Sequence, residues 1–157
     1  MNGGIFMANI FNTKSNTLLS GTSGKDTIQN SGDYATIDGG AGNDSIYNSD
    51  GYSWSGENSI IFGGAGNDTI YNDTGNRVTI NGGDGNDYLI NNVSESIAIY
   101  GGTGDDTIYN LHGSNLTISG GADHDSIYSN GENVIIDSGK GDDMIDNWSE
   151  NVTITGG

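Results

Sequence analysis

Cysteine and proline are both absent from this 157-residue chain, and lysine and arginine together number only 4. Without cysteine no disulfide framework can staple the fold, although that absence fixes no compartment. Without proline, and without glycine at every third residue, the 28 glycines do not make a collagen. So few bases argue against nucleic acid, whose phosphates need Lys and Arg. Beside 21 acidic residues and a net charge of −17, they argue equally against an anionic membrane surface. Long apolar runs are missing too. The longest near the N-terminus covers residues 5–8, so no membrane insertion is expected. That run is also too short for the core of a secretory signal peptide, and it lacks a charged leader.

Apolar residues make up 32% of the chain. Low hydrophobicity with high net charge is ordinarily a signature of disorder, because too little apolar surface is buried to offset chain entropy. Something other than a core must order this chain. The surplus of carboxylates points to a hard cation.

What is present is a repeat. Gly-Gly or a near match recurs at 21, 39, 63, 82, 101, 120, 138 and 156, at spacings of 18, 24, 19, 19, 19, 18 and 18. Each unit opens on the same phrase, as in GGAGNDSIYN, GGAGNDTIYN and GGTGDDTIYN, and continues through a polar stretch to a second apolar patch. The additional length of the 24-residue unit falls in residues 51–57, an insertion that leaves both apolar patches intact. A degenerate copy over residues 1–20, counted from Gly3 and Gly4, sets Ile10 in register with Ile28 and Leu19 with Ile37. It carries Ala8 where later units carry Asp, so residues 1–20 are expected to form a capping coil ahead of the repeats over 21–157.

Alternation along a strand sorts the residues by face. Ile46, Ile70, Leu89, Ile108, Ile127 and Ile145 share one face with the Asp two residues before each and the Asn column Asn30, Asn48, Asn72, Asn91, Asn110 and Asn147. That amide column is expected to bond to itself and to the turn backbone. In the second patch, pairs such as Val78 and Ile80, or Leu116 and Ile118, point inward, while Thr79, Ala98, Thr117, Ile135 and Thr153 point out. Tyr47, Tyr71, Tyr109 and Tyr128 form an outward ladder. No apolar stripe of helical period appears. Each unit therefore reads as strand, turn, strand, turn, one complete coil of an all-β solenoid whose strands stack in parallel.

The turn Gly-Gly-x-Gly-Asn-Asp suits a metal. Glycine permits positive φ, so carbonyl oxygens can turn toward a common point, and the Asp at the sixth position adds a carboxylate there. Stacked turns would offer a cation six or more hard oxygens, which is calcium chemistry. Zinc would want His or Cys, and only His112 and His124 are present. Phosphate-cradling glycine loops open a helix, and none follows here.

At this point the chain resembles the hemolysin-type calcium-binding repeat of the RTX family, whose nonapeptide is Gly-Gly-x-Gly-x-Asp-x-apolar-x. Residues 39–47 (GGAGNDSIY), 63–71, 82–90 and 101–109 match every fixed position. The resemblance implies a right-handed parallel β-roll with two short strands per coil of 18–19 residues. It implies carboxylate ligands at Asp26, Asp44, Asp68, Asp87, Asp106, Asp125 and Asp143. Carbonyl ligands are implied at Gly24, Gly40, Gly42, Gly64, Gly66, Gly83, Gly85, Gly102, Gly104, Gly121, Gly139 and Gly141. Seven turns would hold up to six calcium ions between them. The second turn of each unit lacks the motif, which places calcium along one edge alone. Thr22 replaces a glycine of the first turn and Asp123 one of the sixth.

The resemblance further implies an extracellular or cell-surface module exported by a bacterial type I system, whose C-terminal signal is not in this chain. The chain stops at Gly156 and Gly157, the opening of another repeat, so a larger parent protein or end-to-end self-association is expected. The function expected is calcium binding by a structural module that is not an enzyme. Alternatives are an adhesive or ice-binding surface, or an accessory module of a larger secreted enzyme.

Overall fold

The computed structural model describes residues 7–49, 55–148 and 150–157. Gly3 and Gly4, half of the apolar run over residues 5–8, and much of the insertion over 51–57 lie outside the described residues. Two parallel sheets face each other. The first consists of β1 (Asn9–Asn12), β3 (Thr27–Asn30), β5 (Ser45–Asn48), β7 (Thr69–Asn72), β9 (Tyr88–Asn91), β11 (Thr107–Asn110), β13 (Ser126–Ser129) and β15 (Met144–Asn147). The second consists of β2 (Leu18–Ser20), β4 (Thr36–Ala41), β6 (Ile60–Ala65), β8 (Thr79–Asp84), β10 (Ala98–Thr103), β12 (Ser114–Ala122), β14 (Glu132–Lys140) and β16 (Glu150–Thr155). Odd strands pair only with odd and even only with even, each next to its counterpart one coil away. That order is a parallel β-solenoid, and no helix occurs among the described residues.

Register follows the repeat. Ile10 pairs with Ile28 and Leu19 with Ile37. The 24-residue unit keeps its place, Ile46 opposite Ile70 and Ile37 opposite Ile61, so its additional length is absorbed outside both strands. A slip of one residue would turn every Ile to solvent, which is why identical inward positions hold the stack in one register.

The interior is narrow. A coil buries three apolar side chains at most, such as Ile70, Val78 and Ile80, or Ile108, Leu116 and Ile118. At the insertion coil Ser59 takes the place of the Val, and its hydroxyl accepts the N–H of Ala35 at 3.2 Å. At the last coil Val152 is half-buried and Ile154 exposed, on β16, the edge strand of its sheet.

At the second turn the inward amides do bond to one another. Asn12 donates to Asn30, Asn30 to Asn48, Asn48 to Asn72, Asn72 to Asn91 and Asn91 to Asn110, at 2.7–3.0 Å. The same Nδ2 atoms reach the turn carbonyls of Gly32, Gly56 and Gly75. Ser129 continues the column, accepting from Asn110 at 3.3 Å. Each second turn closes on a residue in the left-handed region: Asn16, Tyr34, Asn58, Arg77, Ser96, Asn115, Asn133 and Asn151. Asn predominates there because its short polar side chain tolerates that conformation.

Outside the first sheet, the rings of Tyr47 and Tyr71 lie 6.3 Å apart and those of Tyr109 and Tyr128 5.8 Å. Ile90 interrupts the column between them, and Tyr88, two residues earlier, meets Tyr109 at 5.5 Å instead.

Candidate metal centre

The even strands run straight into the glycine turns, so the turns stack as closely as the strands do. The glycines at the second position take positive φ, from 92° at Gly139 to 129° at Gly121. Gly42, Gly66, Gly85, Gly104 and Gly141 do the same at the fourth position. A Cβ on Gly83 would overlap the carbonyl oxygen of Gly64, and one on Gly102 that of Gly83. Gly40, Gly64, Gly121 and Gly139 stand in the same relation to the coil before them, and Gly42 lies against Gly24. The carbonyls of these positions therefore form a column along one edge of the roll.

The sixth-position carboxylates form a second column beside it. Asp26, Asp44, Asp68, Asp87, Asp106 and Asp125 are all buried, at most 2% exposed. Asp143, in the last turn, is half-buried. The two oxygens of each carboxylate are used differently. Oδ1 accepts the N–H of the corresponding residue one coil earlier: Asp26 N–H to Asp44, Asp44 to Asp68, Asp68 to Asp87, Asp87 to Asp106, Asp106 to Asp125 and Asp125 to Asp143, at 2.7–3.0 Å. Oδ2 of Asp44, Asp68, Asp87, Asp106 and Asp125 has no hydrogen-bond partner.

Those five oxygens lie close against the first-position glycines of their own turns. Each lies where the first-position glycine of its own turn lacks a side chain. A Cβ on Gly39 would stand 2.6 Å from Asp44 Oδ2 and would overlap the carbonyl oxygen of Gly63 in the next turn. Gly63, Gly82, Gly101 and Gly120 repeat that arrangement. The sequence reading did not single out these first-position glycines. Their φ is not positive, and what demands glycine there is the approach of Oδ2 and a carbonyl.

The first turn differs. Thr22 Oγ1 lies 3.0 Å from both oxygens of Asp26, and the Thr22 N–H also donates to Oδ2. The Ala8 N–H donates to Oδ1. Asp26 is thus satisfied by protein groups.

A third column, also missed, lies at the fifth position. Asn43 Oδ1 accepts the Asn67 N–H, Asn67 that of Asn86, Asn86 that of Asp105, Asp105 that of His124, and His124 Nδ1 that of Asp142, at 2.9–3.1 Å. It runs opposite to the Asp column, so consecutive residues lock each turn to the coils before and after it. The recurrence of an acceptor side chain at that position was the available signal.

Burial raises these carboxylates. Desolvation pushes Asp87 and Asp106 up to about 7 and Asp68 and Asp125 up to about 6, and raises Asp44. The N–H each accepts pulls the other way, and the neighbouring carboxylates of the column push further up. A buried row of like charges with unpartnered oxygens needs a positive counterpart. No group of three or more His, Cys, Asp or Glu side chains suited to a metal occurs among the described residues. Any ion here would draw on carbonyl oxygens as well as one carboxylate per turn, a donor set that fits calcium and not zinc.

The fold and its acid-lined edge define the class: a parallel β-roll built from cation-binding turns. The chain belongs to the RTX calcium-binding nonapeptide repeat family, which matches residues 20–53, 55–78, 77–92, 98–114 and 119–154. The chain has no match among curated proteins or solved structures.

Proposed function

We propose that this chain is a calcium-stabilised structural module, secreted or displayed at a cell surface, with ions held between successive turns of one edge and no catalytic role. The observation that carries the reading is the row of five buried Asp Oδ2 atoms without a partner, each beside a carbonyl of the next turn. Asp44, Asp68, Asp87, Asp106 and Asp125 are the principal carboxylate ligands, and the glycine carbonyls of adjoining turns complete each shell. Calcium supplies the positive charge that lets the column stay ionised while buried, and it binds only when two turns are stacked, so binding is folding energy.

Asp26 and Asp143 bound the row, which gives at most six ions. Residues 7–20 cap the first turn with hydrogen bonds in place of metal. Support for that role comes from Ala8, which offers an N–H to Asp26 and no carboxylate of its own. Calcium outside cells is about millimolar, enough to fill weak sites of this kind.

Circular dichroism tests the reading. The chain in excess chelator at neutral pH is expected to lack β signal and to gain it cooperatively as calcium is restored. A chain fully folded in chelator, with no response to calcium, would remove the need for the ion.

A further inference from the structure

The turns along the metal edge differ in charge. At the fifth position the first turn carries Lys25, the next three carry Asn43, Asn67 and Asn86, and the fifth carries Asp105. Asp84 stands at the third position of the fourth turn, and Asp123 replaces glycine in the sixth. Three carboxylates beyond the buried column therefore gather around turn 101–106.

Hydrogen bonds hold all three across the gaps between turns. Asp84 Oδ1 accepts from Thr103 Oγ1 at 3.1 Å, Asp105 Oδ1 from the His124 N–H at 2.9 Å, and Asp123 Oδ2 from the Gly104 N–H at 3.2 Å. Asp123 does this from a left-handed backbone, φ 79°, where other turns use glycine. The unpartnered Oδ2 atoms of Asp87 and Asp106 lie at those two gaps, beside the carbonyls of Gly101 and Gly120, each residue at most 2% exposed. At the opposite end, Thr22 already occupies the Asp26 carboxylate, and Lys25 sets a positive charge against that of Asp38 beside Asp44.

We infer that the edge fills in order: the two gaps flanking turn 101–106 take calcium first, and the gap between turns 21–26 and 39–44 takes it last. This rests on the calcium reading above. Calcium affinity rises with the number of carboxylates around a site. One added carboxylate roughly 6–10 Å from a divalent ion in a water-like dielectric shifts affinity by about three- to ten-fold. The competing hydroxyl of Thr22 and the charge of Lys25 act in the opposite sense. Being carried by exposed groups, the spread between gaps narrows as salt rises.

Amide-resolved NMR of the full chain during a calcium titration reads each gap separately. The folded-state signals of Gly104 and Gly121 are expected at calcium concentrations about three- to ten-fold below those of Gly40 and Gly42. The double variant D105N/D123G removes two charges and relieves the backbone at 123, and it should move the midpoint of Gly104 up toward that of Gly40. K25N should lower the midpoint of Gly40 alone. One shared midpoint for all turns, or an order unchanged in both variants, overturns ordered filling while leaving calcium binding intact. No calcium response at any amide overturns both.

Discussion

Asp106 Oδ1 accepts the backbone N–H of Asp87 at 2.8 Å, while Oδ2 of the same carboxylate is buried without a partner. One oxygen joins two coils, and the other is free for a ligand. The same division recurs at Asp44, Asp68, Asp87 and Asp125. It makes the column at once a structural ladder and a row of donors, and the two roles are separable by substitution.

Asp87→Asn keeps an oxygen for the Asp68 N–H and removes the charge, whereas Asp87→Ala leaves that buried N–H unpaired. Both should lower the number of bound ions. In saturating calcium, Asp87→Ala should be less stable than Asp87→Asn by about 1–3 kcal/mol, the cost of an orphaned donor. Urea unfolding with calcium counting by native mass spectrometry measures both. Equal stabilities would show that Oδ1 does not hold the coils together.

Acid should partly replace calcium. The folded-state values of Asp87 and Asp106 are about 7 and those of Asp68 and Asp125 about 6, against 3.8 ordinarily. Protons therefore bind the folded chain more tightly than the unfolded one. Their stabilisation is complete below the ordinary carboxylate value and is lost as pH rises through roughly 6–7. In chelator, β signal should be stronger at about pH 5 than at about pH 8, and calcium should abolish the difference. A chelated chain that gains structure on alkalinisation would contradict the burial of these groups.

The amide ladder lies at the other edge and should affect stability without touching the metal. Asn91→Leu removes the acceptor for Asn72 and the donor to Asn110. A loss of about 1–3 kcal/mol is expected in urea unfolding, with the calcium count unchanged. A fall in bound calcium would mean that the two edges are coupled.

The left-handed column offers a stabilising change. Ser96 adopts φ 61° at a position that five other coils give to Asn. Ser96→Asn should raise stability by about 0.5–1 kcal/mol, read from the shift in unfolding midpoint. No gain would mean that other contacts of Ser96 offset the relief of its backbone.

Much of this architecture was legible because period and alternation are carried by residue type. Aliphatic residues, most of them Ile, at the inward positions declared the register, and Asp and Asn on the same parity declared which polar groups turn inside. The left-handed column was not legible, since Tyr34, Arg77 and Ser96 share no side-chain chemistry and only the backbone makes them equivalent. Likewise, nothing in Gly39 or Gly82 distinguishes room for a carboxylate oxygen from freedom in φ. That requires knowing where Asp44 and Asp87 send Oδ2. The fifth-position ladder was hidden because Asn, Asp and His look variable as residues, although each accepts the same N–H.

Crystals grown in calcium and examined at long wavelength would report directly on what lies beside the unpartnered carboxylate oxygens. Anomalous peaks are expected between Asp68 and Asp87, between Asp87 and Asp106, and between Asp106 and Asp125, each beside an Oδ2 atom and a glycine carbonyl. Gaps occupied by water alone in such a crystal would contradict the account.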